Sequence, residues 1–194
     1  MSHFVARLRR LLPCALVLGL FAGVACGGGA PAAAQEWRVN KAKSSVTLQL
    51  SMDGQPVEAR FGTYKFEIRF DPEEPADGEI TAVIDASSIS TGDSARDAVL
   101  YGPEWLNASA FPTIRLSSAS IREKDTLEYS LQADMTLRGV TKRIAIPLTI
   151  DDQGTAGKIY AEARLDPAGF GIRSSAGAAD MLLVIDLTAT HLTN

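Results

Sequence analysis

Leu127 to Arg138 reads LEYSLQADMTLR. Leu127, Tyr129, Leu131, Ala133, Met135 and Leu137 take every second position, and Glu128, Ser130, Gln132, Asp134, Thr136 and Arg138 take the others. Successive side chains of a strand point to opposite faces, so this stretch predicts a strand with one apolar and one wetted face. It lies beyond the usual strand length of about 3–10 residues. The same alternation recurs from Val46 to Met52, Tyr64 to Phe70, Ile80 to Ile84, Ile114 to Ser118, Ile144 to Ile150, Ile159 to Leu165 and Leu183 to Ala189. With the opening stretch these make eight predicted strands, and Asp53-Gly54, the acidic loop Asp71 to Gly78 (DPEEPADG) and Asp151-Asp152-Gln153-Gly154 mark turns between them. The pattern predicts an all-β, closed or nearly closed antiparallel sheet.

An eight-stranded barrel is just wide enough to be filled by side chains or to hold one small ligand. Here the inward set is aliphatic and aromatic, with small residues at Ala82, Ala133, Ala161 and Ala163. Two interiors fit that set, a solid core and an apolar tunnel. An outer-membrane barrel would turn its apolar face outward. Against that, the Val46 and Ile80 strands are shorter than the about 9–11 residues of a membrane strand. The sequence also has no aromatic girdle, a helical interruption of the sheet and a polar Leu-Thr-Asn end.

Residues 1–34 are expected to be a signal peptide. Arg7, Arg9 and Arg10 precede an apolar run from Leu11 to Val24, and Ala32-Ala33-Ala34 offers a small-residue cleavage site. A rival reading is a lipoprotein acylated at Cys26, although the usual leucine three positions earlier is missing. Residues 35–194 then form one domain, large enough to bury roughly 70% of its unfolded surface. Both cysteines, Cys14 and Cys26, precede it, so no disulfide supports its core. The leader holds three of the 19 basic and none of the 23 acidic residues, which leaves the domain at −7. An acidic domain without a basic cluster is no candidate for nucleic acid.

The strand period fails between Ser87 and Pro112, SSISTGDSARDAVLYGPEWLNASAFP. Thr91 or Asp93 can cap a short helix there, with Ala95, Val99 and Leu100 turned inward and Gly102-Pro103 as its stop. Adjacent on one helix, Arg96 and Asp97 cannot face each other, so each is expected to anchor this excursion to a barrel rim. Trp105 packs there or lines a portal. Gly139, in the turn after Arg138, is expected at positive φ.

Catalytic chemistry is scarce. The domain has one histidine, His191, and no thiol or G-x-S-x-G elbow, so no catalytic residue is assigned. Ser174-Ser175 reads as loop. Asp71, Glu73, Glu74, Asp77 and Glu79 lack calcium-loop spacing and read as a solvated loop, and no His/Cys cluster suggests zinc or another metal.

Several pieces together resemble the YceI-like proteins, also called polyisoprenoid-binding periplasmic proteins. Ser88-Ile89-Ser90-Thr91-Gly92 with Arg96-Asp97 and Leu100 looks like that family's S-I-D-T-G…R-D…L segment, and Trp105, Phe111, Pro112 and Ser117 continue it. Thr136 to Lys142 (TLRGVTK) is similar to its L-T-I-R-G-V-T-K hairpin, and Phe170-Gly171-Ile172 resembles its F-G-I turn. The likeness runs from Trp37 to Leu192. It implies a lipocalin-like barrel with an internal apolar tunnel, a bound polyisoprenoid such as a quinone tail, a periplasmic location and a link to membrane b-type cytochromes. Lys43 and Val99 stand where the family often has histidine. Any head-group contact made by those histidines is absent here, whereas a tail site made by shape survives both changes.

With one parity chosen per strand, the expected tunnel lining is Leu48, Leu50, Phe66, Phe70, Leu116, Leu131, Met135, Ile146, Leu148, Phe170 and Ile185. Arg96, Asp97, Leu100 and Trp105 form the expected portal or lid. The expected partners are an isoprenoid lipid, transiently a membrane, and a membrane cytochrome. No cofactor is expected besides the lipid. A rim or edge strand leaves a homodimer open. The competing expectation is a solid-core periplasmic module acting on a membrane cytochrome or in a stress response.

Overall fold

The computed structural model describes residues 35–173 and 181–192. The signal peptide, its cleavage after Ala34, acylation at Cys26 and the Ser174-Ser175 loop therefore lie outside the described residues. The strands in chain order are β1 (Gln35–Val39), β2 (Ser45–Met52), β3 (Gln55–Phe61), β4 (Tyr64–Phe70), β5 (Glu79–Asp85), β6 (Ile89–Ser90), β7 (Thr113–Asp125), β8 (Glu128–Leu137), β9 (Val140–Asp152), β10 (Ala156–Leu165) and β11 (Met181–His191). One α-helix, α1 (Ser94–Tyr101), lies between β6 and β7.

Every described pairing is antiparallel, and eight strands close a ring in the order β1-β4-β5-β7-β8-β9-β10-β11, with β11 returning to β1. The expected number holds, but one member differs. Val46 to Met52 belongs to β2, which continues from β11 into a flap completed by β3 and β6. The ring instead closes through β1, whose five residues, QEWRV, are too few to show a period. Both β1 and β2 use the same edge of β11: Trp37–Val39 pair with His191–Ala189, and Ser45–Leu50 pair with Asp186–Met181. A 3-10 turn at Lys41–Lys43 breaks what is otherwise one run.

Strand β8 confirms the opening stretch with one correction. Tyr129, Leu131, Ala133, Met135 and Leu137 are buried, but Leu127 is 41% exposed and sits at φ 63° in the turn before the strand. Strand β7 is 13 residues long, far beyond Ile114 to Ser118. A register shift between Ser118 and Ser120 moves the inward parity from Leu116 to Ile121. Such a bulge adds one residue to one strand and breaks the two-residue period, so the sequence pattern stops there.

Helix α1 begins at Asp93, whose carboxylate accepts from the amides of Ala95 (2.9 Å) and Arg96 (3.1 Å), and ends at Gly102. Of the three expected inward residues, one holds and two are corrected. Ala95 is exposed and Val99 is 47% exposed, while Leu100 is fully buried. The helix is short and meets the barrel along a single edge, so an apolar residue one step from Leu100 faces water.

Candidate apolar ligand site and its seals

The inward faces of the ring form one apolar cluster. Ten of the eleven side chains expected in the lining, all but the half-buried Phe66, keep between 1% and 5% of their surface exposed, but Leu48 and Leu50 join the cluster from β2, outside the eight-strand ring. Thr47 is the only buried polar or charged side chain among the described residues. Apart from the phenols of Tyr64 and Tyr129 the buried cluster is largely hydrocarbon, and the affinity of such an interior for hydrocarbon is general.

One rim carries the β8–β9 turn and the long β5–β7 connection. Arg138 and Gly139 turn that hairpin at φ 51° and 74°, the backbone a two-residue hairpin prefers. A Cβ on Gly139 would lie 2.9 Å from Phe111 Cε1, so the bare backbone is also what lets Phe111 pack there. Arg138 donates through Nη1 to the carbonyls of Pro103 (2.8 Å) and Trp105. Those bonds draw Trp105, Leu106 and Leu100 into full burial. Asp97 fastens the other side of the excursion, accepting from Thr91 N (2.6 Å), Thr91 Oγ1 (2.8 Å) and Ser90 Oγ (2.8 Å). The Thr91 backbone bond, then its hydroxyl, holds the Asp97 carboxyl below the usual carboxylate range. Among the described residues Arg96 pairs only with Asp93, 3.8 Å away at the start of its own helix, and does not anchor the excursion to the rim. Tyr101 Oη donates to Ile89 O at 2.8 Å, and Arg173 N to Glu104 O at 3.2 Å. Lys142 Nζ lies 5.4 Å from the Phe170 ring centroid, within cation–π range.

The opposite rim is sealed by aromatic rings. Trp37 donates Nε1–H to Phe70 O at 3.1 Å and stacks 4.4 Å from the His191 ring. A Cβ on Gly157 would come within 2.6 Å of the Trp37 ring. Phe70 meets Tyr129 edge-on at 5.1 Å. His191 Nε2 is 3.0 Å from Asp152 Oδ1 without the alignment of a hydrogen bond. No group of three or more His, Cys, Asp or Glu suited to a metal occurs among the described residues, the Asp71 to Glu79 carboxylates included.

Between the rims the wall has a seam. β1 pairs with β4 only at Gln35–Phe70, Glu36–Arg69 and Trp37–Ile68, and then follows β11. Tyr64 to Glu67 of β4 therefore have no strand partner on that side among the described residues. A cavity of about 550 Å³ lies at the divergence. Its lining includes outward residues (Arg38, Lys65) and inward ones (Val39, Phe66). Tyr64 crosses the seam, donating its hydroxyl to Ser44 O at 3.0 Å, and burial raises its phenol pKa.

The sequence pattern described as the YceI-like domain matches residues 37–189. This chain belongs to that family. The Protein YceI of Escherichia coli O157:H7 is 28% identical over 173 residues, spanning 84% of this chain and 90% of that one. Burkholderia cenocepacia BcnA shares the fold at TM-score 0.75 and 23% identity, covering 79% of this chain and all of its own. A domain from Saccharophagus degradans described as polyisoprenoid-binding, and implicated in plant cell wall breakdown, superposes at TM-score 0.65 and 13% identity, over 81% of this chain and 99% of its own.

The YceI-like motifs thus have structural work in this chain. Segments far apart in sequence, around Asp97, Trp105, Phe111, Arg138 and Phe170, meet at one rim and tie the excursion down. Sequence reasoning missed Trp37 and Tyr64. Trp37 lies in a strand too short to show a period, and Tyr64 read as one more inward residue. Nothing local signals that its hydroxyl reaches Ser44 across the seam.

Proposed function

We propose that this protein is a periplasmic, non-catalytic carrier that holds a polyisoprenoid chain, such as a quinone tail, inside its barrel. The observation that carries the reading is the closed ring around one continuous, predominantly apolar cluster. Family membership and the fold shared with a polyisoprenoid-binding domain support it. The expected lining from Leu48 to Ile185 supplies the contacts, and Ala82, Ala133, Ala161 and Ala163 supply the inward positions of smallest volume. The excursion, with Asp97, Leu100 and Trp105, closes one end.

Each buried CH₂ is worth about 0.8 kcal/mol, so a tail of about forty carbons gains on the order of 30 kcal/mol over water. Measured affinities stop near about −18 to −21 kcal/mol. Water is therefore the wrong reference. Such a lipid starts in a bilayer, transfer into the barrel is near balance, and access governs exchange.

A second reading has its own support. The near-zero exposure of the interior fits a solid core, and with it a periplasmic module that acts on a membrane cytochrome or in a stress response. Organic extraction of the purified protein followed by mass spectrometry separates the two. Isoprenoid at near-equal molar ratio is the carrier's result, whereas lipid-free protein unresponsive to added isoprenoid is the module's. Ala133→Trp adds a second measurement. A carrier loses ligand and keeps its fold, but a packed core loses about 1–3 kcal/mol of stability or more.

A further inference from the structure

We infer that the seam between β1 and β4 is the gate through which an isoprenoid tail crosses the barrel wall, with Tyr64 as its latch. The inference rests on the carrier reading. A chain can pass into a closed barrel through either rim or through the wall, and the three routes are held very differently. Opening the first rim means releasing three hydrogen bonds to Asp97, two from Arg138 and one from Tyr101, and exposing the buried Trp105, Leu106 and Leu100. Opening the opposite rim means unstacking Trp37 from His191 and Phe70 from Tyr129. Parting the wall along β8 and β9 breaks a ladder of ten residue pairs in register, and where β9 and β10 separate beyond Leu148–Ala161, Lys142 of β9 lies 5.4 Å from the centroid of the buried Phe170 ring. At the seam the ladder ends at Trp37–Ile68, and beyond it one phenol hydroxyl bridges to Ser44 O.

The space at the seam suits a chain in transit. The 550 Å³ cavity is bounded by the edges of two strands, so side chains from both faces of the wall line it. Its outer lining is charged (Glu36, Arg38, Lys65, Glu67), and Val39 and Phe66 are the members of the lining that are partly buried against the core. Tyr64 meets Phe66 edge-on at 5.8 Å, which couples the latch to that half-buried ring. A second cavity of about 160 Å³ lies towards β3 and shares Lys41 and Tyr64 with the first. Tyr64 thus borders both spaces, which is the position a latch between them requires.

The test measures uptake of a fluorescent polyprenol from phosphatidylcholine vesicles. The Arg38→Cys/Lys65→Cys variant, in a Cys14→Ser/Cys26→Ser background, carries one thiol on each lip. Bridging the thiols with a short bis-maleimide is expected to slow uptake by at least about tenfold, as locking a gate does. The same variant capped with a mono-maleimide keeps its rate. Tyr64→Phe, which loses one neutral hydrogen bond, is expected to speed uptake by about two- to tenfold at unchanged final loading. Unaltered uptake by the bridged protein, or by Tyr64→Phe, overturns the gate while leaving the carrier intact. A wild-type protein that loads no polyprenol at equilibrium overturns the carrier and the gate with it.

Discussion

Replacing Gly139 by alanine tests two separable costs in one turn. Gly139 sits at φ 74°, where a Cβ crowds the following carbonyl at about 1–2 kcal/mol. The new Cβ would also stand 2.9 Å from Phe111 Cε1 and 3.3 Å from Phe111 Cδ1. The ring must shift, and overpacking of this kind costs about 1–3 kcal/mol. The sum is about 2–5 kcal/mol, or roughly 4–20 °C in melting temperature at about 2–4 °C per kcal/mol for a domain of this size. Gly54 supplies the control. It sits in a matching turn at φ 75° with nothing within 4 Å of its would-be Cβ. Gly54→Ala should therefore show the backbone cost alone. Urea denaturation of both variants, and of each in a Phe111→Leu background, isolates the ring contribution as a coupling energy. Equal losses at the two glycines, or no coupling between Gly139→Ala and Phe111→Leu, would refute the claim that Phe111 packs where only a bare backbone fits.

Asp97→Ala should release the Ser90–Thr91 end of the excursion without unfolding the barrel. The readout is faster amide exchange at Thr91, whose N–H donates to Asp97. Because hydrogen bonding lowers the folded-state pKa of Asp97, the clamp is complete above the usual carboxylate range and is lost as pH falls below that range through the depressed pKa. Thr91 protection in the wild type should therefore stay level throughout that range and drop only at pH below it. Trp37→Ala removes a buried ring that stacks on His191 and reaches Phe70 O, and should cost about 3–5 kcal/mol in denaturant unfolding. A loss under about 1 kcal/mol would mean that β1 does not close the ring.

Much of the barrel was legible in the chain because its signal is local. Alternation in Glu128 to Leu137, and the Asp53-Gly54 turn at φ 51° and 75°, depend only on neighbouring residues and appear where expected. The break of period between Ser87 and Pro112 was recognisable for the same reason, although the two-residue β6 inside it was not. The facing of α1 was not legible either, because which side of it meets the barrel depends on the rim beneath it, and so Val99 lies outward. The motif residues were visible as motifs, but their bonds were not. Arg138 reaches carbonyls 33 and 35 residues away.

Sequence alone determined that this chain builds antiparallel strands with one greasy face, since side-chain direction follows from backbone geometry residue by residue. Only the tertiary structure decided that β1 rather than β2 closes the ring, that a bulge carries β7 past Ser118, and that the wall parts beside Tyr64. Those outcomes are matters of register between edges distant in the chain, and pairing of distant edges leaves no mark in the local period.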